Sequence, residues 1–128
     1  MSLISKALVV DDSRAIRGIL SKILARNGFA VCQAADGREA LAALEGEASN
    51  ISLLCVDYNM PHMNGIDLVR AMRAKQNFLR TPVIMITTET NLCSMELAFE
   101  SGVNEYVMKP FTAEMVVDKL RLIGALAS

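Results

Sequence analysis

The fold turns on residues 51–65, which read Ile51-Ser-Leu-Leu-Cys-Val-Asp57-Tyr-Asn-Met-Pro61-His-Met-Asn-Gly65. Ile51 to Val56 is a nearly unbroken apolar run, stopped by a carboxylate and then by a loop bracketed by Pro61 and Gly65. A short run without polar alternation suits a strand covered on both faces, as the strands of parallel sheets are. Asp57 then stands at the carboxyl end of that strand.

The same arrangement repeats on either side. Upstream, Ala7 to Val10 predicts a strand ending at Asp11-Asp12, and Phe29 to Ala34 predicts another. Between them, Ile16, Ile19, Leu20, Ile23 and Leu24 form one helical stripe, opened by Ser13 as N-cap and stopped at Asn27-Gly28. Asp36 with Glu39 resembles a capping box that starts a helix through Leu44.

Downstream, a helix runs from Gly65 to about Lys75, and a strand from Pro82 to Ile86 ends at Thr87-Thr88. Leu92, Met95, Glu96 and Phe99 share one helical face. Val103 to Met108 predicts a fifth strand ending at Lys109-Pro110. Thr112 caps a last helix with Val116, Leu120 and Ile123 inward, while Leu122 and Leu126 lie off that stripe. Strands alternating with helices must pair in parallel, because each crossover returns the chain to the same edge. The expected fold is α/β: a doubly wound, five-stranded parallel sheet with helices on both faces, one domain over residues 1–128.

Composition narrows the function classes. At 128 residues, 52% hydrophobic and 21% charged, the chain can build one core without disulfide or metal staples. A net charge of −1 argues against nucleic acid or an anionic membrane as direct partner. No apolar run approaches the roughly 18 residues of a membrane span, and residues 1–6 lack a signal-peptide pattern. A cytoplasmic location is therefore expected. Cys32, Cys55 and Cys93 show no metal-ligand spacing and read as reduced, small hydrophobes. His62 reads as a solvated loop histidine.

The polar residues at the strand ends carry the chemistry. Asp11-Asp12, Asp57, Thr87 and Lys109 close four different strands, and in an open parallel sheet those ends share one edge where ligands bind. Three crowded carboxylates repel one another unless something offsets them. A divalent cation held by oxygen ligands, Mg²⁺ above all, is the natural offset. Asp57 can then act as nucleophile toward a phosphoryl group and form an acyl phosphate. Lys109 supplies a compact cation for one phosphoryl oxygen and Thr87 a neutral donor for another.

Taken together, Asp11-Asp12, Asp57 to Gly65, Thr87, Tyr106 and Lys109-Pro110-Phe111 resemble the response-regulator receiver domain of two-component signalling, closest to the small chemotaxis type. The resemblance implies the flavodoxin/CheY-like strand order 2-1-3-4-5. It implies Asp57 as phosphoacceptor, with Mg²⁺ held by Asp12, Asp57 and the backbone carbonyl of Asn59, and Asp11 acting through water. Thr87 and Lys109 would grip the phosphoryl oxygens. Tyr106 would turn inward as Thr87 moves, reshaping the face of the fourth helix, fifth strand and fifth helix. The Lys109-Pro110 bond is often cis in this family.

The implied partners are a sensor histidine kinase or phosphotransfer protein and a downstream target, with monomer and phosphorylation-dependent dimer both open. Thr88 departs from the small residue usual at its position. The sequence leaves three readings standing: a stand-alone switch, the receiver of a longer regulator with a DNA-binding or enzymatic output, and an aspartyl-phosphate phosphatase. The last wants an acid two residues after the nucleophile, where this chain has Asn59.

Overall fold

In a computed structural model, residues 5–45 and 50–126 are described. Strands β1 (Ser5–Val10), β2 (Phe29–Ala34), β3 (Ile51–Val56), β4 (Val83–Thr87) and β5 (Glu105–Met108) alternate with helices α1 (Arg14–Arg26), α2 (Gly37–Glu45), α3 (Gly65–Arg73), α4 (Leu92–Ser101) and α5 (Ala113–Leu122). A short 3₁₀ turn at Gln76–Phe78, not anticipated from the sequence, follows α3. All four strand pairs are parallel and the order is β2-β1-β3-β4-β5. No helix among the described residues is long and apolar enough to cross a membrane.

The unbroken apolar runs are explained by two cores, one on each side of the sheet. Leu8, Val10, Leu54, Val56 and Met85 point to one side, against Ala40, Leu44, Leu68, Val69, Met72 and Ala98 of α2, α3 and α4. Ala7, Val9, Leu53, Cys55, Ile84 and Ile86 point to the other, against Leu20, Ile23, Leu24, Val116 and Leu120 of α1 and α5. Successive strand residues thus serve opposite faces, and neither face reaches solvent.

The helix ends behave as their residues dictate. Ser13, Asn64, Asn91 and Thr112 each accept a backbone N–H two or three residues on, satisfying donors that a first helical turn leaves unpaired. Asp36 accepts from the Glu39 N–H at 2.9 Å, while Glu39 reaches back to the Ala35 N–H, one residue upstream of the reciprocal bond of a capping box.

Several expectations need correction. Ile19 is 50% exposed, because it sits at the margin of the α1 stripe, about 100° around the axis from Leu20. The strand expected from Val103 begins at Glu105. Gly102 takes a left-handed conformation and the Val103 N–H bonds back to the Ala98 carbonyl, so the chain is still closing α4 there. The same device acts at Gly124: Gly124 N–H bonds the Arg121 carbonyl and Ala125 N–H the Leu120 carbonyl. That turn folds Leu126 back onto the α1–α5 core, although Leu122 stays exposed.

Candidate functional site

The carboxyl ends of β1, β3, β4 and β5 meet at one rim, as parallel pairing requires. Asp11 follows β1 and is held by its N–H to the Ala34 carbonyl, and Asp57 follows β3 with its N–H on the Val10 carbonyl. Lys109 follows β5, and its N–H bonds the carbonyl of Thr87. These main-chain bonds extend the sheet by one residue and fix where the side chains start.

The side chains then converge. The Lys109 ammonium donates to Asp11 Oδ2 at 2.7 Å and to Asp57 Oδ2 at 3.1 Å. Carboxylate oxygens of Asp11, Asp12 and Asp57 lie within 4.8 Å of one another. Asp11 and Asp57 are buried, whereas Asp12 is open to solvent. The other Asp11 oxygen accepts the Ser13 N–H, and the other Asp57 oxygen accepts the Tyr58 N–H at 2.7 Å.

Charge decides what this arrangement wants. Three carboxylates and one ammonium leave the cluster at about −2. Two like charges 4.8 Å apart repel by roughly 3 kcal/mol at an effective dielectric near 20. Burial pushes the Asp11 carboxyl upward, with the hydrogen bonds from Lys109 and Ser13 pulling against it. Burial likewise works against the Lys109 ammonium, but the bond to Asp11 and the charge of Asp57 outweigh it and hold its pKa above the ordinary value. The donor set is all oxygen, anionic and open on the Asp12 side, which fits Mg²⁺ and its preference for carboxylates plus water. Asp12, Asp57 and the exposed Asn59 are the residues that would hold it.

Thr87 is fully buried at the end of β4, its hydroxyl accepting the Glu89 N–H at 3.2 Å. The carbonyl of Glu89 in turn accepts the Tyr106 hydroxyl at 2.8 Å. Tyr106 is 7% exposed and its ring lies 6.3 Å from that of Phe99 on α4. Burial, then the neighbouring Glu89, pushes its phenol up to about 12, so it stays a donor. Beside it, Tyr106, Met108, Met115, Asp118 and Lys119 line a groove of about 310 Å³ between β5 and α5.

Residues 7–121 match the family described as response regulator receiver domain. The chain belongs to that family. It is 43% identical to the chemotaxis protein CheY1 of Helicobacter pylori over 119 residues, 92% of this chain and 95% of the relative. Its receiver fold is similar to the solved structure of CheY4 of Vibrio cholerae, with a TM-score of 0.87 and 36% identity over 94% of this chain and 99% of that one. The receiver domain of the sensor histidine kinase PA1611 of Pseudomonas aeruginosa, solved with a magnesium ion coordinated in its active site cleft, matches with a TM-score of 0.82 and 26% identity over 95% and 99% of the two chains. Receiver domains of this type are signalling switches rather than enzymes in the ordinary sense, and they work with histidine kinases and downstream targets.

Within this receiver, the acidic pair, Asp57 and Lys109 lie together as expected, and the Lys109-Pro110 bond is cis. His62 is exposed, with no partner among the described residues. Sequence reasoning missed three contributors. Gly65 lies so close to the Asp57 carbonyl that any β-carbon would collide with it. Asn64 caps α3 by accepting the Asp67 N–H; an Asn just before the helical residues carried that signal. Arg17 donates to the Asp11 carbonyl at 2.7 Å, six residues back along the chain.

Proposed function

We propose that residues 1–128 form one receiver domain in which Asp57 accepts a phosphoryl group from the phosphohistidine of a sensor kinase or phosphotransfer protein. The carrying observation is the Lys109 ammonium bridging Asp11 and Asp57 within a cluster of three carboxylates. An Asp57 oxygen attacks phosphorus, the P–N bond to the donor imidazole breaks, and the product is an acyl phosphate. Lys109, already charged and aimed at Asp57, would bind one phosphoryl oxygen, and the Thr87 hydroxyl another. Mg²⁺, held by Asp12, Asp57 and the Asn59 carbonyl with Asp11 acting through water, would neutralise charge so that an anionic donor can approach.

The hydrogen bonds around Thr87 support a route outward. A Thr87 hydroxyl that turns to a phosphoryl oxygen changes its bond to the Glu89 N–H, and Glu89 is the residue whose carbonyl holds Tyr106. A shift there alters the Tyr106–Phe99 packing and the groove beside α5. Target binding at the α4-β5-α5 face would read the change as a population shift. Similarity to chemotaxis proteins supports a role in chemotaxis signalling in the cytoplasm.

Incubation with acetyl phosphate and Mg²⁺ tests the reading. A stoichiometric, base-labile protein adduct is expected. Sustained release of phosphate at many turnovers, without an accumulating adduct, would favour the phosphatase alternative instead.

A further inference from the structure

Arg17 occupies a position that the helix itself disfavours. It is the fourth residue of α1, whose first turn holds no acid and already carries Arg14. The positive end of a helix dipole favours anions there, so two cations this close to it are a cost that something must offset. Long side chains on a helix lean back toward its N-terminus. For Arg17 that direction leads to the end of β1, where Nη1 meets the Asp11 carbonyl at 2.7 Å. On the other side Nε donates to Gln33 Oε1 of β2 at 3.2 Å, which fixes the guanidinium plane.

The carbonyl that Arg17 holds belongs to the peptide joining Asp11 to Asp12. Asp11 is 1% exposed, so this oxygen has little access to water, and a buried carbonyl left alone costs about 1–3 kcal/mol. The orientation of that peptide plane sets the direction of the Asp12 backbone and hence of its carboxylate. Asp11 itself is tied by Ser13 and Lys109, whereas Asp12 is exposed.

We infer that Arg17 is a positioning residue for the cation site: by clamping the Asp11–Asp12 peptide it holds the Asp12 carboxylate toward Asp57, with Gln33 bracing the clamp. The inference rests on the Mg²⁺ reading of the acidic cluster. Arg17 touches neither phosphoryl donor nor metal in this role. Its influence belongs in the affinity for Mg²⁺ rather than in the rate once the ion is bound.

The test is a calorimetric MgCl₂ titration of the wild type, Arg17→Ala, Arg17→Lys and Gln33→Leu, each checked for a cooperative thermal transition in EDTA. Losses of supporting hydrogen bonds around metal ligands typically weaken affinity by about ten-fold or more. A weakening of about ten-fold is expected for Arg17→Ala, a smaller one for Gln33→Leu, and partial recovery for Arg17→Lys, which keeps one donor. Acetyl phosphate labelling should need more Mg²⁺ for half-maximal rate in Arg17→Ala yet reach the wild-type rate at saturation. Wild-type Mg²⁺ affinity in a folded Arg17→Ala overturns the inference. Should that variant not fold, wild-type affinity in both Arg17→Lys and Gln33→Leu overturns it equally. Failure of the wild type to bind Mg²⁺ would instead remove the metal reading itself, a separate outcome visible in the first titration.

Discussion

The Tyr106 hydroxyl donates to the backbone carbonyl of Glu89 at 2.8 Å, joining β5 to the loop that leaves the end of β4. Glu89 also bonds the Thr87 hydroxyl through its N–H, so one residue links a buried hydroxyl at the end of β4 to an aromatic ring beside α4. A movement of the Thr87 hydroxyl therefore has a short physical path to the Tyr106 ring.

Tyr106→Phe removes one end of that path and leaves the Glu89 carbonyl without its donor. The expected cost in stability is about 1 kcal/mol, with faster amide exchange over residues 88–91 and a labelling rate within two-fold of the wild type. Unchanged exchange in that loop would count against the link. Because the Tyr106 phenol is pushed up to about 12, its folded form keeps the proton longer than the unfolded chain. Its contribution to stability is complete below pH 10, the ordinary phenol value, and is lost as pH rises toward 12. Alkaline unfolding should therefore be shallower in Tyr106→Phe.

Lys109→Ala removes the only cation that pairs with the carboxylates of the acidic cluster among the described residues. In EDTA the variant should lose about 3 kcal/mol, since its buried carboxylates are left without a counter-charge, and Mg²⁺ should restore much of the loss. Lowering pH should also restore stability, because burial makes the Asp11 carboxylate bind a proton more readily folded than unfolded. Some phosphorylation should survive, with a weaker conformational response. Thermal denaturation curves that match the wild type at every pH would contradict the role given to Lys109.

Asp12→Asn removes a like charge without breaking a hydrogen bond, since Asp12 is exposed and not bonded to Lys109. Its stability in EDTA should rise by about 1 kcal/mol. The gain from Mg²⁺ should vanish, where the wild type should be stabilised by about 2.7 kcal/mol at a hundred-fold excess over its dissociation constant. A wild-type response of the melting temperature to Mg²⁺ would exclude Asp12 as a ligand.

Gly65→Ala drives a methyl group into the Asp57 carbonyl and the tip of Met85. The backbone after β3 must move, at a cost of about 2 kcal/mol or more, and labelling of Asp57 should slow. Wild-type stability together with wild-type labelling would show that the contact is relieved elsewhere.

What the sequence disclosed follows from the period of its elements. Unbroken runs such as Ile51–Val56 announce two-sided burial, and parallel pairing then gathers every strand's final polar residue at one rim. Asp11, Asp12, Asp57 and Lys109 were legible for that reason. Gly65 and Arg17 were not, because their importance lies in which carbonyl they approach, and that depends on how α3 and α1 settle against the sheet. Ile19 counted as inward because a stripe of five apolar residues hides which of them is at its margin. Leu126 looked outward because a helical wheel continues past Gly124, where the chain reverses.

The most direct measurement locates the phosphoryl group. Protein labelled by a phosphohistidine donor in Mg²⁺, trapped with borohydride and mapped by peptide mass spectrometry, should carry a single modification on Asp57, with none formed in Asp57→Asn. A modification elsewhere in the wild type, or equal labelling of Asp57→Asn, would contradict the assignment.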